Sequence, residues 1–349
     1  MRSRVAEASF VKVTNGRGDA TPSSADPQKP AGGSIRIETD RFMASVATEG
    51  YVSGVTAGSF FDKATGARDI GFGLCIVDFL LEPAPQNGLI PDGQYDFGNL
   101  VHGNLAKRYV EGPQICTQAK SLPARVLIGD GFVAVKLRYR WGAAYPPRNR
   151  AGSLWEQTLI FPQGERFFLC ADRVTTVSES PCLFFRVDMP GHIKHKKGYG
   201  FEHVYLGYHD PATIPSTEFV ADFAPDDRFL YRRGFDPLPK RFIRGYQVAG
   251  SPQKPGPWLA GMTLNPSDVY QAWCHQRGYV CLIEELGGRA TKPGDTLGAC
   301  YVVGWFDNPD RMKETYDRFQ GYSGLELDGP ADRPSTFRGL KGNELTPVS

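Results

Sequence analysis

Short runs in which apolar and polar residues alternate recur along this sequence, and this pattern limits its fold more than any other feature. The clearest run extends from Phe132 to Trp141, where every second residue is apolar and the other face carries Lys136, Arg138 and Arg140. Successive side chains of a strand point to opposite faces, so this period of two indicates a half-buried β-strand.

Tight turns separate these runs. The sequence Gly-Asp-Gly at residues 129–131 suits a hairpin turn into the run that begins at Phe132, and a second hairpin is predicted around residues 162–165. Neighbouring strands with such short joins favour antiparallel pairing, since parallel pairs need long crossovers. With 40 Gly and 27 Pro spread through the chain, the sequence predicts an all-β protein built as a large antiparallel β-sandwich.

One or two short peripheral helices are expected beside the sheets. Pro309–Phe319 is the clearest, because Asn308 can cap its first turn and Gly321 can end it. A shorter helix is predicted at Ser267–His275, where Val269 and Trp273 are four residues apart.

Composition divides the chain into three parts. Residues 1–33 are predicted to be a flexible lead, because residues 16–33 are rich in Gly, Pro, Ser and Asp and have too few apolar side chains to compensate for ordering the backbone. Residues 34–327 form the predicted single β domain. Residues 328–349 have a similar composition to the lead and are predicted to be an irregular tail.

Charge, cysteine and hydropathy exclude several classes of function. A net charge of +2 gives no general attraction to nucleic acid, and the longest apolar runs are only as long as strands, so no membrane partner is expected. The seven cysteines include no CxxC pair and are predicted to be buried thiols. Localisation stays open, with a secreted or periplasmic protein favoured if a signal peptide has been removed.

A concentration of histidines is the first candidate site. Four of the six histidines in the chain are His192, His195, His203 and His209. Imidazole transfers protons near neutral pH and also binds metals, so the cluster is a candidate for catalysis, for substrate binding or for a divalent metal ion. In a strand over residues 204–208, His203 and Tyr205 would share a face and could divide the roles of acid and base. The alternative is a basic surface loop with incidental histidines.

A second candidate is the polar stretch from His102 to Lys120, which Gly and Pro interrupt as in loops that carry sites. Its hydrogen-bonding and aromatic side chains suit a sugar, whose hydroxyls need many donors and acceptors. The candidate residues are His102, Lys107, Arg108, Tyr109, Glu111 and Gln114. A solvated connector is the competing interpretation.

Cations interleave with aromatic residues around Arg232 and Arg233, in the segment from Phe229 to Tyr246. Together with the basic residues near the histidines, they favour an acidic polysaccharide or oligosaccharide as partner. A solvated basic loop over an apolar core is the alternative. Glu284 and Glu285 are adjacent acids on opposite faces of a predicted strand, so the sequence assigns no glycosidase pair.

The order of these elements resembles a known family. Trp155–Phe168 reads as a strand, a turn and a second strand, and residues 278–321 read as two strands around a Lys-Pro-Gly-Asp turn followed by a covering helix. Over residues 34–327 this layout resembles the galactose-mutarotase-like supersandwich, a β fold of sugar epimerases, several polysaccharide lyases and glycosidases. The Asn-His-x-Tyr-Phe-Asn type of signature of the epimerases is absent.

The resemblance implies a carbohydrate-active enzyme with no required cofactor, although a divalent metal remains open. The leading hypothesis is a polysaccharide lyase that cleaves a uronic-acid polymer by β-elimination, in which Lys107, Arg108 or Gln114 neutralises the uronate carboxylate. His203 or Tyr205 would be base and acid, with His102 as the alternative proton carrier. A second hypothesis is an epimerase or glycoside hydrolase in which Glu111 acts as acid or base. A third is a non-catalytic carbohydrate-binding protein.

Overall fold

The structure, a computed structural model, describes residues 4–8, 11–17, 33–84, 99–102, 105–194, 200–225, 227–251, 254–330 and 333–346. These residues form mainly antiparallel β-sheets with few and short helices. The prediction of an all-β, antiparallel sandwich with one or two short peripheral helices is confirmed.

Sheet 1 contains nine strands of the described chain. They are β8 (Ile76–Pro83), β9 (Asn99–His102), β10 (Leu105–Gly112), β13 (Ala143–Ala144), β16 (Ser180–Asp188), β17 (Ile193–Lys194), β20 (Tyr231–Arg232), β23 (Val269–Gln276) and β24 (Tyr279–Thr291). The order across the sheet is β13-β10-β8-β16-β24-β23-β20, with β9 beside β10 and β17 beside β24.

Sheet 2 also contains nine strands within the described residues. They are β11 (Ala124–Gly129), β12 (Phe132–Arg140), β14 (Leu154–Pro162), β15 (Phe167–Thr175), β18 (Phe201–Leu206), β19 (Thr213–Pro215), β21 (Phe242–Val248), β22 (Trp258–Thr263) and β25 (Thr296–Phe306). The order is β11-β12-β14-β15-β25-β22-β21-β18-β19. The two hairpins predicted around residues 129–131 and 162–165 are therefore β11-β12 and β14-β15.

A third sheet is built from the first part of the chain. Its described strands are β1 (Arg4–Ala8), β2 (Val11–Arg17), β3 (Gly33–Thr39), β4 (Phe42–Ala47), β5 (Val55–Thr56), β6 (Phe61–Asp62) and β7 (Gly73–Leu74). This corrects the expected flexible lead at residues 4–8 and 11–17. Val11 and Val13 are buried in the main core, and these apolar contacts stabilise β2. The short apolar run in the sequence did not predict them.

The end of the chain forms a further hairpin, from β26 (Gly324–Asp328) and β27 (Thr336–Leu340). This corrects the expected irregular tail over those residues. The ring of Phe337 packs edge-on against Phe132 with the ring centroids 5.2 Å apart. Phe337 thereby holds the hairpin against sheet 2.

The helices are α1 (Ile115–Gln118) and α2 (Pro309–Phe319), with short 3₁₀ turns at Ser216–Phe219, Pro266–Asp268 and Gly342–Glu344. Helix α2 has the predicted bounds, and the Asn308 side chain accepts a hydrogen bond from the Arg311 N–H. The predicted helix at Ser267–His275 is wrong, since most of that segment is β23. Two apolar residues four apart fit a strand as well as a helix. None of the helices described is long and apolar enough to cross a membrane.

Sheets 1 and 2 pack face to face over one large apolar core. On β24, Leu282 and Leu286 point into this core, whereas Cys281 and Ile283 belong to a separate cluster on the other side of the sheet. We call that other side the outer face of sheet 1. The seven cysteines are free thiols, all buried except the half-buried Cys182.

Candidate active site

The outer face of sheet 1 carries an unusual set of polar and aromatic side chains. Strand pairing places them in rows, because residues directly opposite in antiparallel strands point to the same side. Gln271 pairs with Glu285, and Glu285 pairs with Arg186. Trp273 occupies the next row with Ile283. On the same outer face, Tyr109 packs with an apolar group that contains Phe79, Leu81 and Phe184.

Glu285 is the centre of a buried ionic cluster on this face. Its Oε2 lies 2.8 Å from Nζ of Lys107, and its Oε1 lies 3.1 Å from a terminal nitrogen of Arg186. The Lys107 ammonium also lies 4.2 Å from the centre of the Trp273 ring, and the Arg186 guanidinium lies 5.0 Å from a ring of the same tryptophan. Two cations therefore share one carboxylate above an aromatic platform.

A second polar group lies toward one end of the outer face. Nε2 of His192 is 3.2 Å from Oδ1 of Asp188 and 3.1 Å from Sγ of Cys281. The His192 ring stacks on Tyr279 with the centroids 5.2 Å apart, and His275 packs edge-on against the same tyrosine. The side chain of His192 is 19% exposed, so this group reaches the surface.

Electrostatics favour the protonated form of His192. Burial opposes the charged form, but the charge of Asp188 and the hydrogen bonds to Asp188 and Cys281 outweigh it and hold the pKa of His192 well above its usual value. An imidazolium that is stable at neutral pH can donate a proton.

Asp78 is buried close enough to Asp188 for the two carboxyl groups to interact electrostatically. Its Oδ1 accepts from Nε2 of Gln114 and from Sγ of Cys116, both at 2.9 Å. Burial, reinforced by the nearby charge of Asp188, raises the pKa of Asp78 to about 6. Gln114 is therefore a support for a buried carboxyl.

Three residues of the predicted stretch from His102 to Lys120 lie on one strand, β10, and alternate between its two faces. Lys107 and Tyr109 point to the outer face, as described above. Arg108 points the other way, where its Nε lies 2.6 Å from Oε1 of the buried Glu82. The last strand residue of β9 is His102, whose side chain is outside the described part.

Glu111 has a role in holding the backbone. Its Oε2 accepts hydrogen bonds from the N–H groups of Gly152 and Ser153 at 2.7 and 3.0 Å, and Oε1 accepts from the hydroxyl groups of Ser153 and Ser178. The residue is almost completely buried. These contacts occupy both oxygens.

His203 and Tyr205 lie on sheet 2, on the far side of the sandwich from the outer face. Both contact Trp258, with centroid distances of 6.2 and 6.1 Å, and Nδ1 of His203 is 2.8 Å from Oε1 of Gln247. The structure does not bring them together with Glu111 or with the residues around Glu285.

The other predicted histidines are also apart. His209 lies in a turn, where its Nδ1 is 2.8 Å from the carbonyl oxygen of Pro211. His195 is outside the described residues. In the part of the chain that the structure describes, no group of three or more His, Cys, Asp or Glu side chains is placed to hold a metal ion.

Arg232 and Arg233 are adjacent at the edge of sheet 1 but differ in their contacts. Arg233 donates to the carbonyl oxygens of Ser267, Gly287 and Gly288 at 2.5–2.7 Å. Arg232 pairs with Gln271 across the strands and therefore points to the outer face.

The sequence interpretation did not select Arg186, Asp188, Trp273, His275 or Glu285 as site residues. A signal was nevertheless present. The runs LFFRVD and CLIEEL place charged residues inside otherwise apolar strands, and a charge in a buried strand is destabilising unless it is paired. Such interruptions of an apolar run mark residues that need partners.

No protein-family model matches the sequence, and no curated protein matches it. Solved structures do match in layout. A proposed aldose 1-epimerase from Klebsiella pneumoniae shares 8% identity, with 93% of this chain and 90% of that chain covered and a TM-score of 0.45. A proposed mutarotase from Salmonella typhimurium shares 7% identity, with 79% and 91% covered and a TM-score of 0.40.

The galactose mutarotase related enzyme from Lactobacillus acidophilus shares 13% identity, with 78% of this chain and 97% of that chain covered and a TM-score of 0.37. These are similarities to solved structures at low identity, and they establish no family for this chain. At this level of similarity none of them assigns an activity or a substrate to this chain.

Proposed function

We propose that this protein is a carbohydrate-active enzyme that binds a sugar on the outer face of sheet 1 and transfers a proton to it from His192. The observation that carries the proposal is that a histidine held by Asp188 lies on the same sheet face as Trp273 and the ionic cluster of Glu285.

The chemistry of this face suits a sugar. The apolar side of a pyranose ring packs on aromatic side chains, and its hydroxyls need fixed donors and acceptors. Trp273 and Tyr279 supply rings, whereas Lys107, Arg186 and Glu285 supply donors and an acceptor. Lys107 and Trp273 are completely buried, so a ligand does not contact them in this conformation.

The reaction that fits best is the interconversion of sugar anomers. Opening of the ring needs an acid for the ring oxygen and a base for the anomeric hydroxyl. The His192 imidazolium is the proposed acid and Asp188 positions it. Glu285, whose two oxygens are bound by Lys107 and Arg186, holds the cations of this face and does not accept the proton.

An alternative proposal retains the polysaccharide lyase, acting on a uronic-acid-containing polymer. Two cations beside one carboxylate favour it, because β-elimination requires neutralisation of the uronate carboxylate. Lys107 would then act with Arg186 rather than with Arg108 or Gln114, which are engaged with Glu82 and Asp78.

Anomer exchange of glucose and galactose, followed by polarimetry, tests the main proposal. The His192→Gln variant should lose roughly 10²- to 10⁴-fold of the acceleration, the usual contribution of a positioned acid. His203→Gln is the matched control, because His203 lies on the other sheet and should leave the rate unchanged. Full activity of His192→Gln together with loss in His203→Gln would contradict the proposal and favour the acid and base predicted from sequence.

The same samples distinguish the alternatives. Ultraviolet absorbance of an unsaturated uronate, formed from alginate, pectin or glucuronan, would identify a lyase. Binding of sugar without any change in the rate of anomer exchange or in absorbance would identify a non-catalytic carbohydrate-binding protein.

A further inference from the structure

Strand β11 is the outer strand at one end of sheet 2, and in the part of the chain that the structure describes it pairs with β12 alone. The pairing runs from Ala124 to Gly129 without a register shift. In an antiparallel pair, alternate residues direct their N–H and C=O groups away from the partner strand. These groups of β11 therefore face an edge to which a further strand can add.

The other outer strands of the two main sheets are shorter than the six residues of β11. Among the described residues, β13, β17 and β20 have two residues each, β19 has three and β9 has four. In the third sheet, the outer strand β1 has five residues, but its pairing shifts register between Arg4 and Ala6. Short edges and bulges both hinder the addition of another strand. By length and regularity, β11 is the least protected of these edges.

The core beside β11 is incompletely covered. Val126 and Ile128 pack against the main core but remain partly exposed. Their cross-strand partners on β12, Val135 and Val133, have no exposed surface. A strand added to β11 would cover the two half-buried side chains and supply hydrogen-bond partners to the backbone groups at the edge.

A second copy of this chain provides a strand that matches β11 on both faces. If two β11 strands pair antiparallel about a two-fold axis through Leu127, Val126 of one copy lies opposite Ile128 of the other, on the core side. On the outer side Leu127, already part of an apolar cluster, lies opposite its own copy. Arg125 lies opposite Gly129, so no like charges are directly opposed across the pair.

We propose that two copies of this protein associate through their β11 edges and thereby join their copies of sheet 2 into one continuous antiparallel sheet. The inference is independent of the proposed function, because the outer face of sheet 1 lies on the other side of the sandwich from sheet 2. The dimer is isologous, since the same strand serves as donor and acceptor in both copies.

Sedimentation equilibrium of the full chain tests the proposal. Wild-type protein should have twice the mass of one chain. Val126→Lys should weaken the dimer by roughly 100-fold or more, because its ammonium reaches solvent at a free edge but would be enclosed between the paired strands. Val220→Lys is the matched control, since Val220 is 47% exposed and lies outside β11, and it should leave the dimer unchanged. Far-ultraviolet circular dichroism verifies that each variant is folded.

Amide hydrogen exchange of the wild-type protein gives a second measurement that does not depend on any variant. Exchange of the β11 amides should slow as the protein concentration rises through the dissociation range, whereas exchange in β19, at the other end of sheet 2, should not change. A monomeric wild-type protein would overturn the inference. So would a dimer in which exchange in β11 is independent of concentration, or one that a folded Val126→Lys variant leaves intact.

Discussion

Glu285 is bound through one carboxylate oxygen by Lys107 and through the other by Arg186, and its side chain has no exposed surface. The charge balance on the outer face of sheet 1 therefore depends on this one residue. A buried ion pair contributes little net stability, yet removal of one partner leaves a charge without compensation.

Glu285→Gln should therefore lower the free energy of unfolding by about 3–5 kcal/mol, because it removes the carboxylate that both buried cations contact. Lys107→Met should have a smaller effect, since Arg186 still neutralises Glu285. Urea denaturation measures both. Asp310→Asn is the control, because its exposed pair with Lys313 is worth about 0–1 kcal/mol. A larger loss in Lys107→Met than in Glu285→Gln would contradict this reading.

The raised pKa of His192 gives stability a pH dependence of known sign. The folded state binds the proton more tightly than the unfolded state, so this contribution is fully present below the unfolded pKa and is lost as the pH rises through the folded pKa of His192. Asp188→Asn removes the largest favourable charge, and we expect the histidine pKa to fall. NMR titration of the imidazole measures it, and an unchanged pKa in Asp188→Asn would exclude Asp188 as the cause.

Asp78 acts in a separate pH range. Burial raises the pKa of Asp78 from its ordinary value of 3.8 to about 6, so its contribution to the free energy of unfolding is fully present below pH 3.8 and is lost as the pH rises to about 6. Asp78→Asn should remove the change in the free energy of unfolding between pH 3.8 and about 6. The change above the usual histidine pKa, which comes from His192, should remain. Unfolding curves measured across both ranges separate the two groups.

Sequence could predict part of the residue-scale picture. Lys107 and Tyr109 were selected because polar and aromatic residues cluster around them. Arg186, Trp273 and Glu285 were missed because they come from three separate strands, and only the pairing of those strands brings them together. The roles predicted for His102 and His195 stay predictions.

At the scale of elements, helix α2 covers part of sheet 2 through the buried side chains of Met312 and Tyr316. The Tyr316 hydroxyl donates to the carbonyl oxygens of Thr263 and Leu264, both at 3.2 Å. The helix thus depends on its own cap and on contacts with the sheet.

Asn308→Ala should lower the free energy of unfolding by ~1 kcal/mol, because it removes the acceptor of the Arg311 N–H. Asn308→Asp should be nearly neutral, since a carboxylate accepts the same bond. Thermal unfolding followed by circular dichroism gives the comparison. Equal losses in the two variants would show that the cap does not stabilise α2.

The elements that the sequence predicted correctly are those with local signals. The cap residue and the following proline define α2 within a few residues, and the Gly-Asp-Gly turn defines the β11-β12 hairpin. The helix predicted for residues 267–275 was wrong because pairing with β24 makes most of this segment a strand. That pairing leaves no signal in the local sequence pattern.

At the scale of the whole molecule, Arg244 connects the two main sheets. It belongs to β21 of sheet 2 and crosses the core to donate to the carbonyl oxygens of Ile283 and Trp273 in sheet 1, at 2.6 and 2.7 Å. Glu284 lies 3.8 Å from the same guanidinium and accepts from the Thr263 hydroxyl. Burial raises the pKa of Glu284 to about 7.

Arg244→Met should lower the free energy of unfolding by about 3–5 kcal/mol, because it leaves Glu284 without its cation. The double variant Arg244→Met with Glu284→Gln should recover part of the loss, since no unpaired charge then remains. Urea denaturation of the two single variants and the double variant measures the coupling. Strict additivity would show that the two residues do not interact.

Fold class was predictable because alternation, turns and strand length all indicate antiparallel sheets. Strand order was not, because it depends on pairings between segments far apart in the chain, such as β8 with β16. The same holds for β1 and β2, whose short runs gain their stability only from the third sheet.

The reach of Arg244 across the core has a practical result for protein engineering. Sheet 1 cannot be transplanted by itself onto another scaffold with the proposed sugar-binding face intact, because the backbone that presents Trp273 is held by a residue of the opposite sheet. Directed evolution for a new ligand would accordingly find useful substitutions around Arg244, in the core beneath the proposed sugar-binding face.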